Sequence, residues 1–187
     1  MKLRRLAVTA TVAAVAATSL AACGSSEEPS IGKDEGTYVN TGDLAYQVQI
    51  SRQLNASDFE DRDYLTGLPA GGSKLAAGQE WFAVFLRVFN RTDKPEQAAS
   101  QFTISDTTGK TYQPVVVDTN LNRTAYRAVV VRGGDQIPVP GSLARENLTQ
   151  GGLVLFKVES ASYASRPLVL KITPPNGGTP AQVKLDV

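Results

Sequence analysis

From Tyr38 onward the hydrophobic positions recur mostly with a period of two. Leu44, Tyr46, Val48 and Ile50 alternate with Ala45, Gln47, Gln49 and Ser51, the pattern of a strand with one face buried. Trp81 to Phe89 is apolar on both faces except at Arg87. Phe82, Val84, Leu86 and Val88 make one row, and Trp81, Ala83, Phe85 and Phe89 the other. Such a run predicts a central strand covered on both sides. Phe102 and Ile104 alternate with Thr103 and Ser105, Asp106 to Lys110 turns the chain, and Tyr112 to Val117 returns as a hairpin. Further strands are predicted over 128–131, 153–158, 168–172 and 182–187, the last after Pro174-Pro175-Asn176-Gly177-Gly178. Strands at this turn-punctuated spacing predict an all-β antiparallel sandwich. Helix is scarce, with room for a turn or two over 143–148 and one over 58–65. Crossover helices of about a dozen residues, which a parallel sheet needs, have no place.

The N-terminus follows a different rule. Lys2, Arg4 and Arg5 precede an uncharged apolar run from Leu6 to Leu20, which closes with Leu20-Ala21-Ala22-Cys23. Fifteen helical residues span about 22 Å, short of the ~30 Å hydrocarbon core, so the run predicts an export signal and not a transmembrane helix. The closing residues resemble the lipobox of bacterial lipoproteins. That likeness implies cleavage between Ala22 and Cys23 and lipidation of the Cys23 thiol, with the protein held at the outer leaflet of the cell membrane. Residues 1–22 are thus expected to be removed. Residues 23–36, with one apolar side chain after the cysteine, are expected to form a flexible tether, and residues 37–187 the folded domain.

Composition narrows the chemistry. Loss of Lys2, Arg4 and Arg5 leaves 16 basic against 18 acidic residues, so the precursor's +1 becomes −2. That balance argues against nucleic acid as a partner. With no histidine there is no Ser-His-Asp triad, Cys-His pair or imidazole metal site. One cysteine rules out an intrachain disulfide and a zinc knuckle. Soft metals are excluded as well, because Met1, the sole methionine, leaves with the signal.

A family resemblance rests on spacing in the folded part. It runs through Gly78, the apolar strand to Phe89, Asn90-x-Thr92, and Phe102-x-Ile104-x-Asp106-x-x-Gly109-x-x-Tyr112, and ends at Gly151-Gly152-Leu-Val-Leu-Phe156-x-Val158. Over roughly residues 42–173 this resembles the uncharacterised immunoglobulin-like domain of Gram-positive lipoproteins called "telomeric repeat-binding factor 2-like". That family is itself similar to mycobacterial secreted immunoprotective antigens. The resemblance implies an immunoglobulin-like sandwich of seven or eight strands and an extracytoplasmic location, without an activity. A long loop from Gln53 to Gln79 departs from the family pattern.

Several groups of residues are candidates for chemistry. Asp58, Glu60, Asp61 and Asp63 place four carboxylates within six residues, a candidate for calcium, although Arg62 is a built-in counter-charge and the spacing is not that of an EF-hand. Asp106, Asp118 and Asp135 are candidates for a carboxylate pair of the glycosidase kind. Ser30-Ile31-Gly32-Lys33 spells S-x-x-K, but no K-T-G follows; Gly109-Lys110-Thr111 lacks the earlier glycine of a phosphate loop. Asn55, Asn90, Asn122 and Asn147 begin N-x-S/T sequences. The row Trp81, Phe85 and Phe89 is either a packed second face or an exposed aromatic row. Arg123, Tyr126, Arg127, Arg132 and Arg145 fall in the long segment 118–150, and arginine and tyrosine are enriched at binding hot spots. These residues are the expected recognition surface.

The reading that results is a non-enzymatic, membrane-anchored interaction module without a cofactor, binding an envelope protein or cell-wall component. A calcium or small-ligand carrier is the alternative, and a carboxylate-based hydrolase ranks third.

Overall fold

The computed structural model describes residues 29–187. The signal, the Ala22–Cys23 junction and the first part of the expected tether lie outside these residues. In chain order the elements are β1 (Ile31–Gly32), β2 (Tyr38–Thr41), β3 (Leu44–Leu54), α1 (Phe59–Tyr64), β4 (Gln79–Asn90), β5 (Glu96–Gln97) and β6 (Gln101–Ser105). Then come β7 (Thr111–Tyr112), β8 (Val130–Val131), β9 (Gln136–Ile137), α2 (Leu143–Glu146) and β10 (Gly152–Glu159). A 3-10 turn (Ser160–Ala164), β11 (Leu168–Thr173) and β12 (Ala181–Leu185) complete them.

The strands form two sheets that face each other, as an all-β antiparallel sandwich requires. One sheet has the order β1-β12-β11-β6-β7; the other runs β10-β4-β3-β2, with β9 also on β4. β5 and β8 make a separate two-stranded ribbon, and the pairing is antiparallel except between β1 and β12. The period-two rows explain the core. Phe82, Val84, Leu86 and Val88 of β4 meet Phe102, Ile104, Leu170, Ile172 and Val183 of the opposite sheet. Each such side chain contributes about 1.5–3 kcal/mol on full burial.

The other row of β4 is packed too. Trp81, Ala83 and Phe85 lie under Leu54, Tyr64, Leu65 and Leu68, joined by Val115 and Val117. Tyr64 meets Phe85 edge-on at 5.0 Å, and the Lys157 ammonium lies 4.9 Å from the Trp81 ring centre. The Gln53–Gln79 excursion, with α1 inside it, is therefore the cover that lets β4 be apolar on both faces. Phe89 lies at the margin of this packing, half-buried, with its ring edge-on to Tyr38 at 5.5 Å.

Four expectations change. The strand over Tyr112–Val117 stops at Tyr112, because Pro114 has no N–H to donate. There the chain crosses to the other sheet, where Pro114 bridges Phe156 and the Val115 N–H donates to Leu155 O. The strand over 128–131 reduces to β8, paired with β5. The eight expected strands become twelve among the described residues, since β1, β2, β5 and β9 are too short to show alternation. Finally, residues 30–36 do not belong to a free tether. β1 runs parallel beside β12, Gln182 N–H donates to Ser30 O, and Ser51 N–H and Asp186 N–H donate to the Glu35 carboxylate. Backbone pairing needs no apolar side chains, so composition did not disclose it. Ser30 of the S-x-x-K string accepts from Asn40 N–H through its hydroxyl.

Candidate functional site

The segment 118–150 is built outward from a buried staple. Asn122 is fully enclosed; its Nδ2 donates to Tyr64 O at 2.9 Å and Thr66 O at 3.1 Å. Its Oδ1 accepts from the Thr124 N–H at 3.0 Å and the Thr124 hydroxyl at 2.6 Å. Close by, Asp118 N–H donates to Gly67 O. Gly67 has φ +74°, and a Cβ there would sit 2.7 Å from Asp118 O, so only glycine allows this approach.

From this staple, a turn closed by Ala125 N–H on Asn122 O leads into a short extended stretch, residues 124–126, beside β10. Leu153 N–H donates to Thr124 O, Tyr126 N–H donates to Leu153 O, and Ala125 bridges Leu153 in parallel. Extended backbone alternates its side chains. Tyr126 therefore turns inward, edge-on to Phe102 at 5.2 Å, and its hydroxyl donates to Ala99 O at 2.9 Å. Ala99 N–H donates in turn to the Tyr46 hydroxyl at 2.8 Å. Burial pushes the Tyr126 hydroxyl well above the ordinary tyrosine range. It also pushes Tyr46 up to about 12, against the pull of the Ala99 N–H.

Arg123, Ala125, Arg127 and Val129 instead line a surface groove of about 370 Å³. Its remaining lining is Ile137, Pro138 and Val139, then Ser142, Leu143 and Ala144 at α2, with Gly152. No acid lines it, and the only ion pairs among the described residues are Arg52–Asp61 and Lys110–Glu159. Arg127 Nη2 donates to Thr119 O, which steadies that guanidinium. Of the five residues expected to form the recognition surface, the structure gathers Arg123 and Arg127 on the groove. Tyr126 is corrected to a core residue. Arg132 is exposed in the turn closed by the Asp135 N–H, and Arg145 is half-buried on α2; neither lines the groove.

The calcium candidate is also corrected. Asp58 caps α1 by accepting the Glu60 N–H, while Asp61 points inward and takes Arg52 Nη2 at 2.5 Å and the Asn55 N–H at 2.7 Å. Burial raises the Asp61 carboxyl, but the Arg52 hydrogen bond, the Asn55 N–H and the Arg52 charge together hold it below its ordinary value. Glu60 and Asp63 are exposed, and no three histidine, cysteine, aspartate or glutamate side chains among the described residues are grouped to hold a metal. Arg52 supplies the positive charge that Asp61 meets.

The aspartates considered for acid–base work serve turns. Asp106 Oδ1 accepts from the Thr108 hydroxyl and N–H and the Lys110 N–H, and Oδ2 accepts from the Ser162 hydroxyl. Because the Ser162 proton goes to that carboxylate, Tyr112 is the donor in its own bond to Ser162. The Thr108 hydroxyl, above all, holds the Asp106 carboxyl below its ordinary value despite desolvation. A general acid needs the opposite shift. Asp118 accepts from the Asn120 N–H, and Asp135 accepts the Asn90 N–H through its backbone carbonyl.

Sequence reasoning passed over two organising residues. Asn90 repeats the Asn122 staple: its Oδ1 accepts from Thr92 N–H and hydroxyl, and its Nδ2 donates to Lys94 O and Val131 O. Asp106 with Thr108 makes the same local turn. The available signal was the Asx-x-Thr spacing itself, in which a side-chain oxygen captures donors two residues on.

No protein-family model matches the chain, and no curated protein matches it in sequence. Solved structures do. The yjhA protein of Bacillus subtilis superposes with a TM-score of 0.55 at 12% identity, over 82% of this chain and 99% of that one. MPT63, a secreted protein of Mycobacterium tuberculosis, gives 0.53 at 15% identity, over 85% and 99%. An uncharacterised β-sandwich protein of Clostridium difficile gives 0.45 at 11% identity, over 86% and 98%. The resemblance to a mycobacterial secreted protein is thus met in the fold: the chain is an all-β antiparallel sandwich similar in architecture to MPT63 and yjhA.

Proposed function

We propose that this protein is a membrane-anchored extracytoplasmic lipoprotein whose sandwich is a non-enzymatic binding module for an envelope protein or cell-wall component. The observation that carries this reading is the placement of apolar surface. Seven of the twelve exposed large apolar side chains among the described residues lie between Val116 and Leu148, in the segment that builds the groove. Three of them, Val129, Val139 and Leu143, line the groove itself, and apolar surface gathered at one place marks interaction sites. The lipobox at Cys23 supports the anchor, and likeness in fold to a secreted protein fits the location. The chemistry of the side chains supports the non-enzymatic part, since Asp106 and Asp61 are held as ordinary anions.

The test is affinity capture from cross-linked membranes with the native protein, a Cys23→Ala export control and Val139→Asp, which changes an exposed groove residue. A partner enriched with the native protein and lost with both variants is the expected result. Equal capture by native and Val139→Asp protein, or turnover of envelope substrates by the purified protein, would overturn the reading.

A further inference from the structure

The groove wall presents its side chains in a definite order. Arg123, at the turn closed by Ala125 N–H on Asn122 O, and Arg127, beyond the stretch paired with Leu153, line the groove with Ala125 and Val129, so two guanidiniums flank a small apolar position. Ile137, Val139 and Leu143 line the same groove, and no carboxylate among the described residues lines it to neutralise the arginines.

We propose that the groove takes a peptide segment of its partner in which two carboxylates bracket apolar side chains. This rests on the interaction reading above and gives the partner's chemistry. The carboxylates receive charge-assisted hydrogen bonds from the guanidiniums, and the apolar side chains between them cover Ile137, Val139 and Leu143. A singly charged amphiphile would satisfy one arginine and leave the other without a counter-charge. A neutral glycan would leave both so.

The test uses the full-length protein, produced with Cys23→Ala so that it is unlipidated, and a synthetic peptide Ser-Glu-Val-Thr-Leu-Glu-Ser. Its glutamine analogue, its lysine analogue and dodecanoate are the comparison probes. Calorimetric titration gives affinities, and amide NMR shifts give the location. The glutamate peptide is expected to bind at least tenfold tighter than the glutamine peptide, to weaken as salt is raised, and to shift amides in 123–129 and 137–144. Arg123→Glu and Arg127→Glu should each lower its affinity about tenfold, and the double variant should bind the lysine analogue instead, a gain that misfolding cannot produce. Equal binding of glutamate and glutamine peptides, no binding, shifts elsewhere, or arginine-dependent binding of dodecanoate alone would overturn the proposal. If the peptide fails while Val139→Asp still abolishes membrane capture, the peptide chemistry falls and the interaction reading stands. If the peptide binds as expected but capture is the same with Val139→Asp, the reverse holds.

Discussion

Replacing Asn122 by alanine removes the staple that joins the Gln53–Gln79 cover to the groove wall. Four hydrogen bonds are lost at once, two to the carbonyls of Tyr64 and Thr66 and two from Thr124. A net contribution of about 0.5–1.5 kcal/mol per bond gives roughly 2–6 kcal/mol. The two Thr124 donors share one acceptor, and Thr66 is exposed enough for water to replace its partner, so the lower half applies. We expect a loss of about 3 kcal/mol, or roughly 6–12 °C in Tm for a chain of this size. Urea unfolding followed by tryptophan fluorescence suits the measurement, because Trp81 is buried beneath the same cover. Hydrogen exchange should accelerate at the amides of Thr124 to Tyr126. Asn55→Ala is the matched control. Asn55 opens the same N-x-S/T pattern, but its side chain is exposed and accepts a single bond from Ser57 N–H, so it should cost under about 0.5 kcal/mol. A loss below about 1 kcal/mol for Asn122→Ala, or equal losses for the two variants, would refute the staple.

Gly67→Ala should destabilise by about 2 kcal/mol in the same assay, since it combines a left-handed φ with a Cβ 2.7 Å from Asp118 O. Gly36→Ala shares the positive φ but has open space and should cost about half as much; equal costs would mean the close approach is not tight. The carboxyl of Asp61 titrates below its unfolded value of about 3.9. It therefore contributes stability above about pH 4 that is lost as pH falls through the lower folded value. Urea stability measured at pH 6 and pH 3 should differ less in Asp61→Asn than in the wild type, and identical differences would show that the Arg52 pair is not linked to folding.

Much of the fold was legible because alternation is a local property. β3, β4, β6, β10, β11 and β12 show their strand identity in their own residues, and the doubly apolar β4 already demanded a cover. The turn at Asp106 was legible for the same reason, as were the sites of α1 and α2. The short strands were not. β1 and β9 exist because their backbones complete hydrogen bonds with β12 and β4, and a backbone hydrogen bond leaves no mark on the side chains that flank it.

The candidate site divides along the same line. Sequence by itself determined that 118–150 is a long segment rich in arginine, and that no histidine or thiol chemistry is available there. Tertiary structure decided that Asp61 meets Arg52, that Tyr126 joins the core, and that Arg123 and Arg127 share a groove without Arg132 or Arg145. The physical reason is parity. Which side chains around Ala125 face out is set by its register against Leu153, and a slip of one residue would send Tyr126 to the groove and Arg127 into the core.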